Sequence, residues 1–383
     1  MLPLRALLAL SVIVLLGCLT EVLPAGLLLG MSAEFGVPPS TIGHLVSGYA
    51  ITTALTAIPL TALTSRLPRK PVLLALVLGF AVTNLVIAVS PWYSVVLAAR
   101  IASGAITGVM WGLVAVYAMR LAPPELSGRA LAVAMAGTPL GFAVGVPAGT
   151  ALGELVGWRW TFVLMGAVAV PLLAWVAVAV PPVAAEPVRV SLPTAMRVPG
   201  MLRIVLMVLM FSLAHNTFYT YLGPDLARVG RESWLSTALL VFGLATVAGI
   251  VAVGKALDQY PRVVLAVCPA AAALAIALVT LSDGDPAHLL PAMALWGFAF
   301  GGAPTAFQAV TALVAGRTTD SAQSLTIASW NAAVAGGAML GGLVLDTEPG
   351  ALAWTAAAVM VPALLIAVGL PRPALEPVPE RAA

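Results

Sequence analysis

Apolar runs long enough to cross a bilayer follow one another along nearly the whole of this chain, and the charged residues fall almost entirely in the short gaps between them. A membrane-spanning helix takes roughly 20 apolar residues and a connection roughly 10 more, so 383 residues hold about twelve spans. Only 9% of the residues are charged, against about 25% in soluble proteins, and 61% are hydrophobic, which excludes a soluble globular fold. Because the apolar runs are continuous rather than alternating, they exclude an outer-membrane barrel as well. The net charge of +3 comes from basic residues scattered singly, so no footprint for a nucleic acid exists. Cys18 and Cys268 each stand alone in an apolar stretch, and three histidines offer little to a metal ion; neither a disulfide framework, a metal nor another cofactor is expected. Gly249 to Lys255 has the spacing of a phosphate-binding loop, but Ala256 replaces the required hydroxyl residue and the segment lies inside an apolar run. With no catalytic constellation in the chain, an enzyme is not expected either.

Charges, Pro pairs and Gly-Asp turns place six spans near 4–31, 42–65, 71–90, 93–120, 128–153 and 160–181. Six more follow near 200–224, 235–257, 263–282, 287–315, 321–345 and 350–370. The expected organisation is an N-terminal six-helix bundle over 1–181, a linker over 182–199, a C-terminal bundle over 200–370 and a tail over 371–383. With the N-terminus inside, fourteen Lys and Arg residues fall on the cytoplasmic side and only Arg159, Arg228 and Arg231 outside. That bias puts both termini in the cytoplasm of a bacterial inner membrane. Leu15 to Cys18 imitates a lipoprotein cleavage site, but the apolar run continues to Gly30, so a retained first span is expected.

Sliding the second half over the first exposes a repeat. Gly104 and Gly108 fall on Gly297 and Gly301 at an offset of 193 residues, and Pro68-Arg69 falls on Pro261-Arg262. Two parallel six-helix repeats about an axis normal to the membrane are the architecture of carriers with a midplane substrate site. Thr20-Glu21 with Gly26-Leu27-Leu28, the run Leu45 to Ala50, Arg100 with Gly104, and Gly145 to Gly153 followed by Gly157-Trp158-Arg159 then carry a family resemblance. They resemble the major facilitator superfamily, and within it the twelve-span drug:proton antiporters of the arabinose-efflux and chloramphenicol-exporter type. The resemblance implies an all-α membrane protein, twelve transmembrane helices in two pseudo-symmetric bundles. It also implies a proton-coupled antiporter that expels small amphipathic molecules such as drugs by alternating access, working as a monomer, with sugar or metabolite efflux as the alternative. Its partners would be the lipid bilayer, a small organic substrate and protons. One family feature is altered: in the loop after span 2, Thr61 and Ser65 stand where the family has Gly and Asp, while Arg66, Arg69 and Lys70 keep the basic part. The second-half copy retains Gly254, Asp258 and Arg262, and by resemblance these loops lock a gate.

Individual residues narrow the candidate site. Glu21 is the only acid well inside a span, and a charge at the centre of a membrane helix costs about 2.5–3.5 kcal/mol on insertion scales. Arg100 lies at comparable depth, counting ~1.5 Å per residue. A pair between them, made and broken, would suit proton coupling, while Arg100 could equally tie span 4 to neighbouring carbonyls. Phe211, His215 and Tyr219 recur every four residues beside Asn216, an expected cavity wall for substrate. Tyr49, Trp111, Trp296, Gln308, Trp330 and Asn331 are further candidates to line it. In span 5, Gly137, Gly141, Gly145, Gly149, Gly153 and Gly157 repeat every four residues, with Pro139 and Pro147 on the same helix. A helix face so bare of side chains permits close approach of another helix, and by resemblance it would be a sealing or sliding surface between the halves.

Overall fold

The computed structural model describes residues 2–184, 192–257 and 259–370, and these are predominantly helical. Among the described residues twelve helices are long and apolar enough to cross a membrane: α1 Leu4–Gly26, α2 Pro39–Thr64, α3 Arg69–Val89, α4 Tyr93–Arg120, α5 Pro124–Val156 and α6 Trp158–Ala179. The second set is α7 Met201–Tyr219, α8 Glu232–Ala256, α9 Pro261–Leu281, α10 Pro286–Ala315, α11 Ser321–Thr347 and α12 Pro349–Val368. Sequence marks their ends. Pro39, Pro261 and Pro286 occupy first-turn positions, where a missing N–H costs nothing, and Asp285 Oδ1 accepts from the Ala287 amide at 3.2 Å to cap α10. Gly157, at φ +98°, makes the turn between α5 and α6 that a side chain would strain.

The twelve form two bundles whose contacts repeat. α2 packs on α4 as α8 packs on α10, and α3 packs on α6 as α9 packs on α12. The repeat offset holds at the level of atoms. A Cβ on Gly104 would strike the carbonyl of Tyr49, and one on Gly297 would strike that of Phe242; Gly108 faces the Thr53 carbonyl and Gly301 the Thr246 carbonyl. Tyr49 and Thr53 advanced by 193 residues are Phe242 and Thr246. These glycines are therefore needed where two backbones touch, once in each half.

The glycine row of α5 corrects an expectation. Cβ atoms on Gly141, Gly145, Gly149 and Gly153 would meet the side chains of Leu15, Leu19, Leu23 and Leu27 of α1 in that order. A four-residue leucine ridge thus lies in a four-residue glycine groove inside the N-terminal bundle, not at a surface between the halves. The other half is met by the adjacent face: Gly243 of α8 lies against the carbonyl of Phe142 and the Cα of Ala143. There α5 leaves the α-helical path, and Gly141–Gly145 form a π-turn just before Pro147.

The start of α1 at Leu4 and the end of α12 at Val368 lie on one face of the bundle, here the terminal face, because twelve alternating spans return to the starting side. The halves are sealed toward the opposite, far face. Val46 and Ala50 of α2 pack with Val334, Ala335 and Ala338 of α11, and Ser47 Oγ donates to the Ala335 carbonyl at 3.3 Å. Tyr221, fully buried, donates to the Ala338 carbonyl at 2.7 Å while its hydroxyl lies against Gly43 of α2. Beyond Thr53, toward the terminal face, α2 buries no residue before Ser65.

Candidate transport site

The first-half side of the site is built on a proline. Pro24 has no N–H, so the Thr20 carbonyl one turn earlier in α1 has no intrahelical donor. Arg100 of α4 supplies one: its Nη1 donates to the Thr20 carbonyl, its Nη2 to the Glu21 carbonyl at 3.1 Å and its Nε to the Leu45 carbonyl of α2 at 3.1 Å. The guanidinium also lies over the Tyr49 ring, 4.3 Å from its centre, and the Tyr49 hydroxyl donates to Thr107 Oγ1 at 2.6 Å. One buried cation thereby fastens α1, α2 and α4. Asn84 of α3 joins the knot, donating to Thr20 Oγ1 at 3.1 Å.

This arrangement differs from a Glu21–Arg100 pair. The main-chain oxygen of Glu21, not its carboxylate, meets Arg100, because the Thr20 carbonyl that Pro24 leaves without a donor draws the fork of the guanidinium onto the main chain of α1. The carboxylate is half-buried and has no hydrogen bond or ion pair among the described residues. Tyr49 likewise is fully buried under Arg100 and braces it, rather than standing open to a substrate.

On the second-half side His215 of α7 is buried within a nest of rings. It stacks on Phe300 at 4.0 Å and on Tyr219 at 4.9 Å, with Trp296 at 5.3 Å and Phe242 at 6.0 Å. The expected open cavity wall is here a filled aromatic cluster, since α7, α8 and α10 bring their rings to one depth. His215 Nδ1 and Trp296 Nε1 are buried without a hydrogen-bond partner. Asn216, half-buried, donates to the Ser212 carbonyl at 2.9 Å, and Asn331, buried, donates to the Ile327 carbonyl at 3.0 Å while its Oδ1 has no partner. Phe142, from the other half, reaches into the cluster, 5.3 Å from Phe300 and 6.5 Å from Phe242. Trp111 and Trp330 are half-buried and Gln308 is exposed, all on the terminal-face side of their helices.

The basic residues near the terminal face tie helix ends together. Lys70 Nζ donates to the Ala177 carbonyl at 2.6 Å and Arg262 Nη2 to the Leu370 carbonyl at 2.7 Å, each a cation at the C-terminal end of the sixth helix of its own half. Arg66 is exposed and Arg69 buried, and Asp258 lies outside the described residues. Sequence reasoning passed over Phe142, Ser47 and Asn84. A single ring among glycines and single small polar residues in apolar runs carry no periodic signal; only their neighbours in space give them a role.

Two six-helix repeats, sealed against each other on one side, one holding a buried polar knot and the other a ring cluster that Phe142 of the first half enters, define a membrane carrier of the internally repeated class. The chain belongs to the Major Facilitator Superfamily, which residues 9–319 match. A probable sugar efflux transporter of Mannheimia succiniciproducens is 27% identical over 331 residues, covering 85% of this chain and 83% of that protein. A probable sugar efflux transporter of Helicobacter pylori strain G27 is 28% identical over 336 residues, covering 85% and 84%. Among solved structures, the human organic anion transporter MFSD10 (TETRAN) has a TM-score of 0.69 at 16% identity, covering 94% of this chain and 99% of that one. A bacterial homologue of the human lysosomal transporter Spinster, in an inward-facing, unoccupied conformation, has a TM-score of 0.70 at 16% identity, covering 96% of each chain. The protein is a multi-pass membrane transporter of this fold.

Proposed function

We propose that the protein exports a small sugar or a similar hydroxylated metabolite across a bacterial cytoplasmic membrane, driven by inward proton flow. The observation that carries the substrate class is the likeness over 85% of the chain to two probable sugar efflux transporters. It favours the sugar alternative over the drug exporter that the motifs first brought forward. Proton coupling is supported by Glu21, a half-buried carboxylate inside a span with no hydrogen bond or ion pair among the described residues, on the residue whose main-chain carbonyl accepts from the buried Arg100. The positive-inside bias supports a cytoplasmic terminal face, and with it the far-face seal supports reading this conformation as inward-facing. Purified protein in proteoliposomes, given an imposed pH gradient, is offered labelled mono- and disaccharides beside a lipophilic cationic dye. Gradient-dependent movement of a saccharide is the expected result. Movement of the dye alone returns the drug-export reading, and saccharide flux indifferent to the gradient removes the coupling.

A further inference from the structure

Among the described residues, Phe142 is the one ring of the N-terminal half that enters the aromatic cluster of the other half, and it does so from the π-turn Gly141–Gly145. A π-turn adds a residue to the helical circuit and so turns a side chain out of the helix's regular rows; such turns recur at functional sites. Here it takes Phe142 off the glycine groove that holds α1 and points it across the boundary between the halves. Its contacts are edge-on or tilted, at 5.3 Å from Phe300 and 6.5 Å from both Tyr219 and Phe242, and the residue is only half-buried. The second half, by contrast, holds its own rings in closer stacks: His215 lies on Phe300 at 4.0 Å and on Tyr219 at 4.9 Å.

Within this cluster two buried donors or acceptors, His215 Nδ1 and Trp296 Nε1, have no partner. A buried polar atom left unpaired costs about 1–3 kcal/mol, and two in one cluster ask for a ligand that pairs them. An uncharged ring that carries hydroxyl groups on its edge and C–H groups on its faces does both: the faces lie on aromatic rings and the hydroxyls reach the nitrogens.

We propose that Phe142 is a removable plug that fills, in this conformation, a subsite for a hydroxylated ring walled by Tyr219, Phe242 and Phe300, the three rings it touches, with His215 and Trp296 packed directly behind them. The ligand class deepens the reading of sugar export and rests on it; the plug stands on the ring geometry alone. When α5 moves relative to α8 and α10, the phenyl ring withdraws and the substrate ring takes its place, so occupancy of the subsite is linked to the movement of the halves. In the plugged state the ring competes with substrate, and the apparent affinity is reduced by the fraction of molecules in which the subsite is filled by Phe142.

The test uses the full chain in detergent and equilibrium dialysis against 4-nitrophenyl β-D-glucopyranoside, with tetraphenylphosphonium as the charged ring-bearing counterpart. F142A is expected to bind the glucoside on the order of tenfold more tightly than wild type, and F142L, which keeps apolar bulk, to fall between them. Adding H215A to F142A is expected to cost about tenfold, the equivalent of one hydrogen bond. Unchanged or weaker glucoside binding by folded F142A and F142L overturns the plug, and a gain that survives H215A overturns the subsite. A gain for tetraphenylphosphonium in place of the glucoside overturns the ligand class. The two readings fail separately: wild-type saccharide transport without any gain in F142A removes the plug and leaves sugar export, whereas a gain in F142A with no saccharide transport by wild type removes sugar export and leaves the subsite.

Discussion

At the scale of single residues, three groups set the chemistry. Glu21 holds a carboxylate that nothing among the described residues pairs, so Glu21→Gln, which cannot release a proton, is expected to abolish gradient-driven accumulation while leaving substrate exchange at equilibrium intact. Counterflow and uphill uptake measured on the same vesicles separate the two, and preserved uphill transport removes Glu21 from coupling. Arg100 donates from a fully buried position to the Thr20 carbonyl, which Pro24 leaves without a helical donor, and to the Glu21 and Leu45 carbonyls, so Arg100→Ala orphans the first and unties the other two in a dry interior. A loss of roughly 3 kcal/mol or more is expected, read as a sharp fall of the thermal midpoint in detergent. Asp225 lies beyond the end of α7, buried, with Arg228 at 3.3 Å; burial raises its carboxyl above the usual range more than the arginine lowers it. An acid whose folded pKa exceeds its unfolded one is stability-neutral when protonated in both states. Stability then falls as pH rises from the unfolded value through the raised one. Asp225→Asn is accordingly expected to raise the thermal midpoint at neutral pH, with the gain vanishing in acid; an equal gain at both pH values contradicts this.

At the scale of elements, a helix pair is legible once both members are read together. The α5 glycines are plain in the sequence, but their partner is the run Leu15, Leu19, Leu23 and Leu27, whose identical spacing looks like ordinary membrane composition until the two helices are seen side by side. Gly145→Leu would drive a second leucine into Leu19, and overpacking of this kind costs typically about 1–3 kcal/mol. Gly254→Ala in α8, where an added Cβ meets nothing within 4 Å, is expected instead to be neutral or to stabilise by up to about 1 kcal/mol. Expression yield and thermal midpoints of the two variants make the comparison. Pro24 shows the same dependence on partners: it removes one N–H from α1, and only the structure shows that the carbonyl so released is the one Arg100 takes.

At the scale of the molecule, the far-face seal between α2 and α11 has to open if the halves rock about a central site. Ser47 and Ala335 lie close enough for a hydrogen bond of 3.3 Å, so S47C together with A335C is expected to be joined by a short bifunctional thiol reagent. Joined protein should lose transport, and a cleavable reagent should restore it on reduction; unaltered transport in fully joined protein would mean that this seam does not open. Cys18 and Cys268 are replaced by serine in this background, because Ser47 and Ala335 are as deeply buried as they are and burial does not distinguish the two pairs.

Sequence alone determined the twelve spans, the two-fold repeat and the family, because each depends on properties that are local or periodic. Apolar length fixes a span, and a Gly104/Gly297 register fixes a repeat, without knowledge of any partner. It also put Glu21, Arg100 and His215 among the candidates, since polar groups in lipid stand out against their surroundings. Tertiary structure alone decided what those groups touch. Arg100 has a choice between a carboxylate and carbonyls at the same depth, and the orphan left by Pro24 decides it; His215 has a choice between a cavity and a ring cluster, and the approach of α8, α10 and Phe142 decides that. Partner choice is a matter of ångströms between helices far apart in the chain, and no periodicity within one helix encodes it.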